Sequence, residues 1–154
     1  MKHTVVAMVE DRPGVLTRVA SLFRRRGFNI DSLAVGGTEE QGISRMTIVV
    51  DGDDGILQQV EHQLYKLIDV VKVTNLSMEE AVSRELALIK VRCGTLNRRE
   101  VLDIVEIFRA QVIDVSPETL IIQVVGEEER LNALLDNLRP YGVMEMVRTG
   151  RIAM

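Results

Sequence analysis

The amino-acid sequence predicts an α+β protein built as two ferredoxin-like βαββαβ domains in tandem. Three observations lead there. Apolar residues recur with strand and helix periods in a fixed alternation. The same order of strands and helices can be read twice along the 154 residues. A polar segment, Ser77 to Arg84, separates the two readings.

In the first half, Thr4 to Val9 is apolar and β-branched and reads as a strand. Asp11-Arg12-Pro13-Gly14 makes a turn. Val15, Leu16, Val19, Ala20, Leu22 and Phe23 then follow helical spacing, with Gly27 as the stop. Ile30 to Val35 is the second strand and ends at Gly36-Gly37. Ser44 to Val50 alternates, with Met46, Ile48 and Val50 on one face. Asp51-Gly52-Asp53-Asp54 supplies a turn and a helix cap. Ile56, Leu57, Val60, Leu64, Leu67 and Ile68 mark the second helix, and Val70 to Leu76 the closing strand.

The second half repeats the plan. Leu86 to Arg92 is a strand, and Arg99 to Arg109 a helix with Val101, Leu102, Val105 and Phe108 inward. Val112 to Val115 and Leu120 to Val125 are strands flanking Ser116-Pro117-Glu118. Leu131, Leu134, Leu135 and Leu138 stripe the last helix, and Val143 to Val147 completes the set. A faint echo links Leu22-Phe23-Arg24 and Ile30-Asp31 with Ile107-Phe108-Arg109 and Ile113-Asp114. The expected domains are residues 1–77 and 84–154. At about 75 residues, each half is marginal for an independent core. Dimerisation would relieve that, and an apolar edge strand such as Thr4 to Val9 invites it.

Composition narrows the function classes. The chain is 46% hydrophobic and 27% charged, as expected of a globular protein with a real core. Aromatics make up only 3%, so that core must be aliphatic. A net charge of −4 gives no basic footprint for nucleic acid. Cys93 is the only cysteine, which rules out an internal disulfide and fits a reducing cytoplasm. It ends an apolar run and reads as a structural thiol. The opening residues do not read as a signal peptide. No apolar stretch approaches the ~20 residues of a membrane helix. A cytoplasmic protein away from the membrane is the expectation.

The most informative segment is Glu10-Asp11-Arg12-Pro13-Gly14-Val15-Leu16, which leads from a strand into a helix. Pro13 suits the first helical turn, where its missing N–H costs nothing. Gly14 leaves the backbone bare where free amides point outward. Such a helix start carries unpaired N–H groups and partial positive charge, and it suits a carboxylate. The ammonium of an amino acid would want oxygen acceptors, available from Asn29 and Asp11. Leu16, Ile30 and Leu33 offer an apolar wall. The same loop is also compatible with a plain tight turn and N-cap.

Glu10-Asp-Arg-Pro-Gly-Val-Leu16 resembles the glycine loop of ACT domains, small-molecule sensors with the βαββαβ order read above. Ser21-Leu-Phe-Arg-Arg-Arg-Gly-Phe-Asn-Ile-Asp-Ser-Leu33 and Ser44-Arg-Met-Thr-Ile-Val49 are more specific. Together with Gln63 to Leu67, Arg84 to Lys90 and Glu106 to Val115, they resemble the small regulatory subunit of acetolactate (acetohydroxyacid) synthase, in order and over essentially the whole chain. The resemblance implies an N-terminal ACT domain that forms a homodimer with L-valine bound at its interface. It also implies feedback control of a separate catalytic large subunit in branched-chain amino acid biosynthesis. Carried over by position, the effector-binding residues are Asp11, Gly14, Val15, Leu16, Asn29 and Ile30. Many members have Asn where this chain has Asp11, which bears on effector preference. Thiamine diphosphate, Mg2+ and FAD are then cofactors of the catalytic partner, with none expected in this chain.

Rival readings are weaker. His3 and His62 stand alone, without a cysteine or carboxylate constellation for nucleophilic or metal chemistry. Asp51-Gly-Asp-Asp-Gly55 lacks the spaced ligands and closing Glu of an EF-hand. RNA-binding domains of the same strand order stack bases on strand aromatics. Here Val5 to Val9 and Arg45 to Val50 hold none. Arg24-Arg25-Arg26 reads as a solvated helix end favoured by the helix dipole. An ACT sensor for another pathway is disfavoured by the long matches beyond the glycine loop.

Overall fold

The β-branched run at the N-terminus forms strand β1 (Lys2–Glu10), which leads through the glycine loop into helix α1 (Val15–Arg26). Strands β2 (Ile30–Gly37) and β3 (Ile43–Asp51), helix α2 (Asp54–Tyr65) and strand β4 (Val70–Asn75) complete the first βαββαβ set. The computed structural model describes residues 1–77 and 80–154. Residues 78 and 79, within the expected linker Ser77 to Arg84, lie outside the described residues. Two units result: Met1–Val82 with Arg151–Met154, and Ser83–Gly150.

In the first unit the strand order is β2-β3-β1-β4, and every pairing is antiparallel. This corrects one expectation. Thr4 to Val9 is not an edge strand, because β1 pairs with both β3 and β4. An all-apolar strand is better used in the middle of a sheet, where both faces can be covered. The edges are β2 and β4. Val15, Val19, Leu22 and Phe23 of α1 and Leu57, Val60 and Leu64 of α2 pack on Val5, Ala7, Val9, Met46, Ile48 and Val50. Thr47 and Val49, on the other face of β3, are buried as well.

Helix α2 starts as its sequence indicates: the Asp53 carboxylate accepts from the Ile56 amide at 2.9 Å. It stops at Tyr65, so Leu67 and Ile68 fall outside it. Leu67 still packs on the core, whereas Ile68 is 93% exposed. At the end of the chain, Val82 and Met154 exchange backbone hydrogen bonds of 2.8 and 3.0 Å. Arg45 donates to the Ala153 carbonyl at 2.7 Å.

The second unit repeats the topology. Its elements are β5 (Ser83–Arg92), α3 (Arg98–Ile107), β6 (Gln111–Val115), β7 (Thr119–Gly126), α4 (Glu128–Leu138) and β8 (Val143–Arg148). The order β6-β7-β5-β8 matches β2-β3-β1-β4 position for position. Its core unites Ile89, Val91, Leu120, Ile122 and Val124 with Val101, Val105 and the four leucines of α4, and it includes the buried thiol of Cys93. Leu102, expected inward, is 41% exposed; the inward face of α3 runs through Val101, Ile104, Val105 and Phe108 instead.

Both first helices end in one motif. Phe28 donates to the Phe23 carbonyl and Gly27 to Arg24 (3.0 and 3.2 Å), while Ala110 donates to Val105 and Arg109 to Glu106 (both 2.9 Å). The left-handed residue is Gly27 (φ 70°) in one unit and Arg109 (φ 51°) in the other. These are Schellman closures, which normally select glycine. The true equivalence therefore sets Arg109 against Gly27. The echo between Leu22-Phe23-Arg24 and Ile107-Phe108-Arg109 is out of register with it.

Candidate effector site

The loop from β1 to α1 is clamped at its base. The Glu10 amide donates to the Asp69 carbonyl at 2.9 Å, and the Asp11 amide to the Gly42 carbonyl at 2.8 Å. Pro13, expected in the first helical turn, lies just before it. Gly14 is the N-cap, and its φ of 86° is left-handed, so the helix can begin only at Val15. No side chain caps this end. Arg18 closes the first turn by donating to the Gly14 carbonyl at 3.0 Å, but the Leu16 and Thr17 amides find no acceptor within the described residues. Two bare N–H groups and the positive end of a 12-residue helix therefore face outward beside a residue without a side chain.

Gly14 is constrained twice. Its backbone conformation disfavours any other residue, and a Cβ there would lie 3.0 Å from Nη1 of Arg18. That arginine is itself held: its Nε donates to Oδ2 of Asp69 at 2.6 Å. Asp69, in the turn before β4, is 4% exposed. Neither residue belongs to the pattern that points to the loop. Arg18 reads as one more polar position on an amphipathic helix, and Asp69 is distant in sequence, so no local signal would have found them.

Of the predicted site residues, Asp11, Gly14, Val15 and Leu16 stand together. Val15 is buried in the core, while Leu16 and the Asp11 side chain are exposed. Asn29 and Ile30 stand elsewhere. Ile30 pairs with Val50, whereas Glu10 pairs with Ile43 at the other end of β3. That separation along the strand is about 23 Å at ~3.3 Å per residue. Within one chain the two groups are not brought together. The Gly37 end of β2, paired with Ser44, is the end beside the loop.

Other candidate chemistry is sparse. Nε2 of buried His3 lies 3.1 Å from the Gly52 carbonyl. Among the described residues, no group of three or more His, Cys, Asp or Glu stands ready to hold a metal ion. No helix is long and apolar enough to cross a membrane.

A βαββαβ unit whose glycine loop presents bare helix amides, followed by a second unit of the same topology, defines an ACT-domain protein. Residues 6–72 match the family described as the AHAS small subunit-like ACT domain, and residues 84–154 match the small subunit of acetolactate synthase. The chain is 52% identical to a probable acetolactate synthase small subunit of Archaeoglobus fulgidus, over 100% of this chain and 96% of the relative. It is also 52% identical to the acetolactate synthase small subunit of Mycolicibacterium smegmatis, over 98% of this chain and 89% of that one. The crystal structure of the small subunit from Thermotoga maritima superposes with a TM-score of 0.92 at 46% identity, covering 100% of this chain and 96% of that chain. The chain belongs to the acetolactate synthase small-subunit family.

Proposed function

We propose that this chain is the regulatory subunit of a two-component acetolactate synthase in branched-chain amino acid biosynthesis, non-catalytic by itself. It stimulates a cytoplasmic large subunit and makes it sensitive to valine. Thiamine diphosphate, magnesium and FAD are assigned to that catalytic partner. The carrying observation is the loop before α1, with the unpaired Leu16 and Thr17 amides beside a left-handed Gly14. An amino-acid carboxylate suits that end, and the exposed Asp11 carboxylate is an acceptor for the ammonium.

The effector site is completed by a second copy. The β2 edge is free to pair with its own copy about a two-fold axis. Antiparallel pairing along Ile30–Gly37 sets residue 30 of one chain opposite residue 37 of the other. Asn29 and Ile30 of the second copy then approach the glycine loop of the first. This accounts for predicted site residues that lie at opposite ends of one sheet.

Control follows from linkage. Valine bound between two ACT domains favours the arrangement in which the catalytic subunit works less well. A coupling of ~1–3 kcal/mol changes affinity or conformational balance about 5- to 150-fold. Isoleucine differs from valine by one methylene, worth only ~1–3 kcal/mol in an apolar pocket, so it and leucine are expected as weaker effectors.

The test is to titrate the complex with the catalytic subunit with L-valine, L-leucine and L-isoleucine, using the wild-type chain and Gly14→Asp. Saturable inhibition strongest with valine, and absent with Gly14→Asp, is expected. Unaltered valine inhibition with Gly14→Asp would remove the loop from the effector site. No response of the wild-type complex to any of the three would remove the regulatory reading of the loop.

A further inference from the structure

We infer that Arg18 is the charged donor to the effector's carboxylate, and that buried Asp69 is the positioning residue that holds it over the loop. The inference rests on the reading of the glycine loop as the effector site and assigns that site its cation.

Three distances place the group. Nε of Arg18 is fixed on the Asp69 carboxylate at 2.6 Å. The carbonyl of the same Asp69 accepts from Glu10 at 2.9 Å, so one buried residue ties down both the arginine and the root of the loop. Nη1 of Arg18 would lie 3.0 Å from a Cβ on Gly14, which puts the guanidinium directly beside the bare position and the first helical turn.

The use of the guanidinium is telling. A structural arginine on a carboxylate commonly spends its fork on both oxygens. Here Asp69 takes Nε, and neither terminal nitrogen has a protein partner among the described residues. Arg18 remains 46% exposed on its side chain, so those nitrogens are open to a ligand. A carboxylate lying on the Leu16 and Thr17 amides would meet a cation already ordered by Asp69. The ordering cost of a long side chain is then met in folding rather than in binding. A side chain at position 14 would crowd this guanidinium as well as strain the left-handed backbone.

The discriminating ligand is L-valinamide, which keeps the ammonium and isopropyl group of valine and lacks the anionic end. Inhibition of the complex with the catalytic subunit would be measured with L-valine and L-valinamide for the wild type, Arg18→Gln, Arg18→Lys and Asp69→Asn. Arg24→Gln, which removes an exposed charge from the far end of the same helix, is the control. Arg18→Gln is expected to raise the half-inhibiting valine concentration roughly ten- to a hundredfold, the size of a lost charge-assisted hydrogen bond. It should also close most of the gap between valine and valinamide. Arg18→Lys, which keeps a cation for Asp69, should fold normally and shift valine in the same direction by less. Asp69→Asn should weaken valine less than Arg18→Gln, and Arg24→Gln should leave it within about twofold.

Valine inhibition within about twofold of wild type in both Arg18 variants would overturn the inference. So would losses equal for valine and valinamide, since these would mark Arg18 as a support of the loop only. If Gly14→Asp abolishes the valine response while the Arg18 variants keep it, the effector site stands and only its cation is misassigned. If the wild-type complex ignores valine, both readings fall together.

Discussion

Gly27 and Arg109 occupy one position of the duplicated fold, and they show what a single left-handed residue costs. Both close a helix with the same pair of hydrogen bonds. Only glycine does so without a Cβ penalty. Arg109, at φ 51° and exposed, carries that penalty. Arg109→Gly is therefore expected to stabilise the second unit by up to about 1 kcal/mol, seen as a higher denaturation midpoint with an unchanged slope. That figure is the left-handed penalty of ~1–2 kcal/mol less the ~0.5–1 kcal/mol of chain entropy that glycine costs. A lower midpoint would mean that the arginine side chain makes a contact worth more than the strain. At Gly14 the balance is reversed, because a φ of 86° disfavours any side chain and a Cβ would also crowd the nearby guanidinium at 3.0 Å.

Strands β2 and β4 both leave an open edge, and the Gly37 end of β2 lies beside the glycine loop. The exposed side chains of β2 include Val35, 47% accessible at the rim of the sheet. A charge on an edge strand blocks pairing with another strand without disturbing the fold beneath it. If the proposed β2-paired dimer forms, Val35→Lys is expected to turn it into a monomer at micromolar concentration, read by sedimentation velocity, and to weaken the proposed valine response with it. A dimer that survives this change would place the subunit contact on another surface and separate Asn29 and Ile30 from the loop for good. Helix α3 carries a related lesson. Its apolar residues admit more than one inward face, and packing against the second core takes Ile104 inward and leaves Leu102 out.

At the scale of the whole molecule, the two hydrophobic cores share no residue. Each is a small aliphatic cluster, so damage should stay local. Leu134, wholly buried on α4, is a suitable probe. Leu134→Ala is expected to cost about 2–5 kcal/mol through lost burial and the cavity left behind. Hydrogen exchange should then show β5 and β7 opening while β1 and β3 keep their protection. Equal loss of protection in both units would show that they unfold as one.

Much of this protein is already determined by its sequence. The hydrophobic periods locate every long strand and helix, because burial on one face forces a repeat near 2 or 3.6 residues whatever the neighbours are. The run from Glu10 to Leu16 marks the loop, because proline and glycine restrict the backbone locally. What tertiary structure alone decided is non-local. It made β1 central rather than an edge, ended α2 before Leu67, and placed Ile30 at the far end of the sheet from Gly14. It also brought buried Asp69 against Arg18. The place of β1, the position of Ile30 and the meeting of Asp69 with Arg18 depend on which distant segments come together, and such a contact leaves no trace in the local pattern of either one.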